Sequence, residues 1–210
     1  SKYEKPFLHC HHLEAHCLVA RLDEQLEFPY LALLVSGGHC QLLWVQGVGD
    51  CSVLGGTLDD ALGEAYDKAA RMLRLSSETG GGPALEKAAL RGNATAVDLP
   101  VPMKKRKDCD FSYAGLKNAL RGRVAEKRDE RGLSEDDALP DQDVFDLAAS
   151  FQSVAIEHVE DRLKVAFKRV INEAGASPTL ALVGGVAANA ELRRRVASVA
   201  SQAGWRLVVP

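Results

Sequence analysis

Residues 31–45 read Leu31-Ala32-Leu33-Leu34-Val35-Ser36-Gly37-Gly38-His39-Cys40-Gln41-Leu42-Leu43-Trp44-Val45. Two short apolar runs on either side of a Ser-Gly-Gly turn predict two strands joined by a tight hairpin. Glycine at the tip allows positive φ and lets a ligand approach the bare backbone. Backbone N–H groups in such a turn can form a concavity that binds an anion. The segment Leu34–Gly38 is therefore a candidate ligand-binding turn.

A second glycine turn lies far downstream, in Leu180-Ala181-Leu182-Val183-Gly184-Gly185-Val186. A strand there, a helix over Ala187–Ala200 and a strand over Trp205–Val209 predict a right-handed βαβ unit with parallel pairing. Ligands bind at the carboxyl ends of such strands. We therefore expect both glycine turns to face one cleft that holds a nucleotide-like ligand. Asn189, in the first helical turn, is interpreted as a ligand contact, with a helix cap as the alternative.

Histidines are concentrated just before the hairpin, in the segment His9–Cys17. A helix that begins at about His12 places His12 and His16 on one face, because positions four apart are neighbours. Two such imidazoles suit zinc, iron or nickel, with a third ligand supplied from elsewhere. The alternative is a half-buried pair without a metal. His39 is either a turn residue or a group that helps to hold a phosphate or carboxylate.

Two further segments carry candidate ligand contacts. A helix is expected to begin with Thr57 as its N-cap and to contain Gly63. Glycine destabilises a helix interior, so its presence there indicates close approach of a backbone or ligand. Asp67 lies on the same face as Gly63 and could accept hydrogen bonds from ribose hydroxyls, or it is simply solvated. Gly80–Gly82 precede a helix that starts near Pro83, and Glu86 could reach the same ligand.

The rest of the chain predicts core and surface elements. The basic run Lys104–Lys107 is interpreted first as solvated and otherwise as a contact for nucleic acid. The charged stretch Arg121–Pro140 predicts a mobile loop or frayed helix end. A long core helix begins at Pro140-Asp141 and ends before Gly175 and Pro178. His158 on its apolar face is interpreted as an ordinary core histidine.

Composition excludes several classes of protein. The chain has 210 residues and a net charge of -3, so any contact with nucleic acid must be a local patch. Its five cysteines form no C-x-x-C pair, which favours a reducing compartment over a disulfide framework. No apolar run is long enough to span a bilayer. Both ends look cut, and the chain is expected to be a fragment.

Six motifs occur in a fixed order along the chain: His11-His12-Leu13-Glu14-Ala15-His16, Leu34-Val35-Ser36-Gly37-Gly38-His39, Gly63-Glu64-Ala65-Tyr66-Asp67-Lys68, Gly81-Gly82-Pro83, Asp110-Phe111-Ser112-Tyr113-Ala114-Gly115-Leu116-Lys117 and Gly184-Gly185-Val186-Ala187-Ala188-Asn189. Together they resemble the tRNA N6-adenosine threonylcarbamoyltransferase family, formerly called O-sialoglycoprotein endopeptidases or glycoproteases. The Ser-Gly-Gly-His-Cys variant and the Cys-Asp-Phe-Ser segment look most like its mitochondrial branch.

The resemblance implies an α/β fold of the actin-like ATPase type (sugar kinase and Hsp70), with two lobes around a nucleotide cleft. Residues 1–55 would end the first lobe and start the sheet of the second. Residues 56–140 would be helical and loop insertions, and 141–210 the long helix and βαβ unit. The family's opening strand, its phosphate-side loop and the closing segment with a metal-binding aspartate are missing, so the fragment alone is expected to be inactive.

By resemblance, the chain transfers threonylcarbamoyl from threonylcarbamoyl-AMP to N6 of adenosine 37 in tRNAs that read ANN codons. One divalent metal ion, iron or zinc, would be the cofactor. The partners would be tRNA, a second copy or accessory subunits, but no membrane, in the mitochondrion or alternatively the cytoplasm. His12 and His16 would bind the metal, and the substrate-binding residues would be Leu34, Val35, Ser36, Gly37, Gly38, Asp67, Gly82, Glu86 and Asn189.

Three other functions compete with the transferase. One is an inactive actin-like scaffold subunit, against which the intact His12, His16 and Asp67 argue. Another is a metalloprotease, as in the old family name, but Glu14 is one residue away from the position that the helical protease motif requires. The third is an actin-like ATPase such as a sugar kinase, which does not need the histidine pair.

Overall fold

The computed structural model describes residues 6, 10–23, 26–76, 78, 80–174 and 178–210. His9 of the histidine-rich segment and the predicted helix stop at Gly175 lie outside the described residues. None of the described helices is both long and apolar enough to cross a lipid bilayer. All five cysteines carry free thiols.

A mixed sheet forms the centre of the fold, and its strands stand in the order β3-β2-β1-β4-β5. The predicted hairpin and meander are confirmed, because β1 pairs antiparallel with β2 and β2 with β3. The predicted parallel βαβ unit is also confirmed, and β4 adds to β1 with Leu31 opposite Leu180. The proposed lobe boundaries stay a prediction. The strands are β1 (Tyr30–Val35), β2 (Cys40–Gly47), β3 (Asp50–Gly56), β4 (Thr179–Val183) and β5 (Arg206–Val208).

Helices cover both faces of this sheet, so β1 is buried throughout. Alternate residues of a strand point to opposite faces. Leu31 and Leu33 pack in the larger core with α3 to α7, whereas Ala32 and Leu34 pack with Cys17 of α1. The helices are α1 (His12–Leu18), α2 (Ala20–Asp23), α3 (Leu62–Met72), α4 (Gly81–Ala89), α5 (Ala114–Glu130), α6 (Asp141–Val170) and α7 (Ala190–Gln202), with a 3-10 turn at Gly185–Ala188.

The predicted start of α3 at Thr57 is wrong. The helix begins at Leu62, and the Thr57 hydroxyl instead donates to the Asp60 carbonyl oxygen at 2.6 Å. The acidic residues after Thr57 serve other partners. The Asp59 carboxylate accepts the backbone N–H of Tyr113 at 2.8 Å, at the start of α5. The segment that was expected to cap α3 therefore caps α5 through Asp59, and the sequence alone does not indicate this.

The charged stretch Arg121–Pro140 is more ordered than predicted, because α5 continues to Glu130. Its inner face is buried through Leu120 and Val124. On its outer face Arg123 pairs with Glu126, three residues away. Such pairs add a few tenths of a kcal/mol each, roughly 0.2–0.5 kcal/mol. With Leu116, three buried apolar residues therefore dock a helix that is rich in charged residues.

His158 is buried in the core, as predicted. Its Nε2 accepts the backbone N–H of Ser112 at 3.3 Å, and the rings of Phe111 and Tyr113 meet it edge-on. No hydrogen-bond partner for Nδ1 lies among the described residues. Burial, and then the charge of Arg162, lowers the pKa of His158 to about 4. The imidazole is therefore neutral in the folded protein.

We expect this histidine to make the fold sensitive to mild acid. The unfolded chain protonates His158 near its ordinary value of 6.5, but the folded protein only near pH 4, so stability falls as the pH drops through that window. The full loss is at most about 3 kcal/mol. Urea unfolding of wild type and His158→Gln at pH 7 and pH 4.5 measures it. If the free energy of unfolding falls equally with pH in both proteins, His158 is not the source of the acid sensitivity.

Candidate functional site

One cavity of about 320 Å³ lies where the two glycine turns meet. The hairpin tip contributes Gly37 and the downstream turn contributes Gly185. The expectation that both turns face one cleft is therefore confirmed. The other lining residues come from α3, from α4 with its preceding residue, and from the segment before α7: Gly63, Tyr66, Asp67, Gly80, Gly82, Pro83, Glu86, Val186, Ala188 and Asn189.

Gly63 and Gly184, which lie outside the hairpin tip, let the two glycine turns approach each other. Gly184 has φ of +98°, and a Cβ on it would lie 2.3 Å from the Val35 carbonyl oxygen. A Cβ on Gly63 would lie 2.7 Å from the Ser36 carbonyl oxygen. Gly37 and Gly38, where glycine would allow positive φ, do not adopt it. The close approach predicted for Gly63 is confirmed, and the close neighbour is the hairpin backbone.

Asp67 connects α3 to the start of α4. Its Oδ1 accepts the Gly82 N–H at 2.9 Å, and a Cβ on Gly81 would lie 2.8 Å from the same oxygen. The glycines therefore let the two helices approach closely around one carboxylate. The side chain is exposed, and no hydrogen bond to Oδ2 is found among the described residues. Within the described part of the chain, that oxygen is available to accept from a ligand hydroxyl.

Glu86 and Asn189 hold the start of α7. Glu86 Oε1 accepts the Ala190 N–H at 2.7 Å. Asn189 Oδ1 accepts the Leu192 N–H at 2.8 Å, and its Nδ2 donates to Gln152 at 3.0 Å. Asn189 is the N-cap of α7, the alternative role, and it precedes the first helical turn in which it was expected. Its contact with a ligand stays a prediction. The residue lines the cavity as the N-cap, since the 3-10 turn Gly185–Ala188 ends at Asn189 and α7 begins at Ala190.

We expect Glu86→Ala to weaken both this junction and ligand binding. Loss of a hydrogen bond to a charged acceptor costs about 1.5–3 kcal/mol, and α7 also loses a negative charge at its N-terminus. Glu86→Gln keeps an acceptor oxygen and is the matched control. Urea unfolding and calorimetric titration with AMP measure the two effects. Equal unfolding free energies for both variants would contradict the capping role.

The Leu34–Gly38 segment reaches the cavity only at Gly37. Leu34 and Val35 are fully buried in the two faces of the sheet, so their side chains support the turn. Ser36 shapes it, because its Oγ accepts the His39 N–H at 3.0 Å. Tyr66 is a lining residue that sequence reasoning missed. Tyr66 lies one helical turn after Gly63, and this spacing already indicates that both residues share one face of α3.

The histidine pair forms as predicted, on a helix that begins at His12. The ring centroids of His12 and His16 are 4.6 Å apart, and the His39 ring lies 6.1 Å from His12. Burial, then the neighbouring His12 and His39, lowers the pKa of His16. His16 is therefore neutral at pH 7, the form that binds metals. His11 instead caps α1, with Nδ1 accepting the Glu14 N–H at 3.4 Å.

The pair fits two positions of a metal site and leaves the others open. No group of three or more His, Cys, Asp and Glu side chains placed to hold a metal occurs in the described ranges. His39 follows Gly37 by two residues in the hairpin tip, and Gly37 lines the cavity. The imidazoles therefore lie beside the tip that borders the cavity.

Two of the four basic residues in the run Lys104–Lys107 pair with carboxylates. The Arg106 guanidinium bonds to the carboxylates of Asp108 and Asp110, and Lys104 bonds to Glu157. These contacts agree with the solvated interpretation of the run. The alternative interpretation of the run, a contact for nucleic acid, stays a prediction.

The profile of the tRNA N6-adenosine threonylcarbamoyltransferase family matches residues 1–210. The chain belongs to this family. Relatives named tRNA N6-adenosine threonylcarbamoyltransferase are 47% identical over 206 residues in Methylocapsa acidiphila and in Rhodospirillum rubrum. Another from a Bradyrhizobium strain is 44% identical over 211 residues. In the order given, these alignments cover 98%, 98% and 99% of this chain. They cover 55%, 54% and 56% of the relatives, so the chain spans about half of their length.

A solved structure supports the expected fold. The activator of the 2-hydroxyisocaproyl-CoA dehydratase from Clostridium difficile, with bound ADPNP, superposes with a TM-score of 0.52 at 14% identity. The match covers 94% of this chain and 59% of that one. At this identity the likeness shows the fold alone, and the expected actin-like ATPase fold is confirmed. The mitochondrial branch of the threonylcarbamoyltransferase family stays a prediction.

Proposed function

We propose that this chain carries the adenylate-binding half of an enzyme that transfers threonylcarbamoyl from threonylcarbamoyl-AMP to N6 of adenosine 37 in tRNAs that read ANN codons. The observation that carries the proposal is the single cavity that joins both glycine turns with Asp67 and Glu86, in a chain of the threonylcarbamoyltransferase family. In the reaction, the bond from N6 to the carbamoyl carbon forms and the bond from that carbon to the phosphate oxygen breaks. N6 loses a proton, and AMP leaves.

The cavity suits an adenylate because its lining combines backbone turns with acceptor oxygens. Glycine turns bring backbone N–H groups close to a phosphate. Asp67 and Glu86 each use one carboxylate oxygen to hold a helix start. Their second oxygens can accept from the two hydroxyls of a ribose. Substrate placed in this way needs no covalent intermediate, because orientation of an amine against a fixed carbonyl lowers the barrier.

The proposal includes one divalent metal ion, iron or zinc, held by His12 and His16. When bound, such an ion polarises a carbonyl as a Lewis acid and helps to orient it. The neutral state of His16 and the 4.6 Å between the two rings support this role. Two imidazoles leave at least one further protein ligand to be supplied.

The experiment is deletion of the gene that encodes this chain, followed by mass spectrometry of nucleosides from mitochondrial and cytosolic tRNA. We expect threonylcarbamoyladenosine to disappear from one pool and to return with the wild-type gene. Return with the His12→Ala/His16→Ala gene as well would favour an inactive scaffold. An unchanged nucleoside in both pools would remove the transferase proposal.

The same experiment addresses the compartment and the partners. We propose the mitochondrion, with the cytoplasm as the alternative, and the free thiols suit the reducing interior of either. Besides tRNA and threonylcarbamoyl-AMP, the proposed partners are a second copy of the protein or accessory subunits of the family. Size-exclusion chromatography of the full-length protein tests the first of these.

A further inference from the structure

A second cavity, of about 400 Å³, opens beside α4. Pro83 lines both this cavity and the first one. The two sites therefore meet at the first turn of one helix. The lining residues of the second cavity are Leu75, Ser76, Pro83, Ala84, Lys87, Ala88, Arg91 and Phe145.

This cavity combines an apolar floor with two cations. The Arg91 guanidinium lies 4.0 Å from the centroid of the Phe145 ring. Lys87 lies in the last turn of α4 and Arg91 lies just after the helix ends, and both are exposed. Neither forms an ion pair with a carboxylate of the described residues, unlike Arg106 of the basic run.

Close backbone packing holds the Arg91 side of this cavity in place. A Cβ on Gly92 would lie 2.0 Å from the Phe145 carbonyl oxygen, so the chain after Arg91 presses directly against α6. The Asn93 N–H then donates to the Asp146 carboxylate at 2.8 Å. The stacked Arg91 and Phe145 are therefore held by the backbone on both sides, and the surface exists before a ligand arrives.

We propose that this second cavity binds a nucleotide next to the target adenosine in the tRNA loop. Unpaired RNA bases stack on aromatic rings and on guanidinium planes, and lysines contact their phosphates. The base would pack on the apolar floor against Arg91, and its phosphate would pair with Lys87. The inference rests on the proposed function, which places adenosine 37 at the first cavity, and the shared Pro83 brings a neighbouring nucleotide within reach of the second.

The test compares tRNA and AMP binding by the full-length protein. We expect Arg91→Ala to weaken binding of unmodified tRNA by about 10-fold, the usual loss for one stacked base. Arg91→Lys should recover only part of it, because the charge remains without the plane. Lys87→Ala should reduce the slope of log affinity against log salt by about one. Arg121→Ala, which removes an exposed arginine of α5 that lines neither cavity, is the matched control.

Affinity for AMP should stay unchanged in all four variants. A fall in AMP affinity with Arg91→Ala, or tRNA binding equal to that of Arg121→Ala, would overturn the inference. If the wild type binds tRNA but transfers nothing, the proposed function fails, while the binding comparison still decides whether the cavity is an RNA site. Circular dichroism checks that each variant is folded.

Discussion

On the proposed function, replacing His12 and His16 together by alanine is expected to reduce threonylcarbamoyl transfer by the full-length protein at least about 100-fold. Polarisation of the carbonyl by a bound ion is worth several kcal/mol, and each 1.4 kcal/mol is about tenfold in rate. His12 is exposed and His16 half-buried, so their removal costs little packing. Transfer to unmodified tRNA and the metal content of the purified protein should fall together.

The neighbouring His11 offers the control for this pair. It is an exposed histidine of the same segment, and its hydrogen bond to the Glu14 N–H is long, at 3.4 Å. His11→Ala should retain metal and most of the transfer. His39→Ala asks whether the third nearby ring also contributes. Full metal content in the double variant would contradict the assignment of the pair as ligands.

Gly184→Ala is expected to be the most damaging single change to the fold at the cavity. A Cβ would lie 2.3 Å from the Val35 carbonyl oxygen, and φ of +98° is a conformation that alanine rarely adopts. The backbone conformation, with ψ of 165°, costs alanine about 1–3 kcal/mol, and forcing atoms into a packed site costs about 1–3 kcal/mol more. The loss should be visible in urea unfolding, and AMP affinity should fall because Gly185 moves away from Gly37.

Gly185 is the control for that substitution. A Cβ on Gly185 would meet nothing within 4 Å, and its φ is not positive. Gly185→Ala should therefore unfold within about 1 kcal/mol of the wild type, the ordinary range for alanine in place of glycine. Equal free energies of unfolding for Gly184→Ala and Gly185→Ala would contradict a destabilising clash between a Cβ at Gly184 and the Val35 carbonyl oxygen.

The features that the sequence predicts well are carried by local patterns. Apolar runs around Ser36–Gly38 specify the hairpin, and the spacing of His12 and His16 places both on one helical face. The alternation of strand, glycine turn and helix after Leu180 specifies the parallel unit. Each pattern lies within about 30 consecutive residues, so the local spacing of apolar residues, glycines and histidines predicts the element type.

The features that were missed depend on partners far apart along the chain. Glu86 satisfies an N–H of Ala190, more than 100 residues later, and no local signal reports that contact. The Asp59 carboxylate caps α5 rather than α3 for the same reason. His39 meets His12 only because the hairpin folds back beside α1. Capping patterns and single polar residues are ambiguous when the group that they satisfy lies on another element.

The pairing of β1 with β4 also constrains how the protein is made. Leu31 and Leu180 pair although nearly 150 residues separate them along the chain. Bringing such distant segments together costs loop-closure entropy before their contacts repay it, which slows folding. During synthesis the early hairpin must wait, with one edge of β1 open, until β4 leaves the ribosome. That open edge is a site where chaperones would be needed to prevent aggregation.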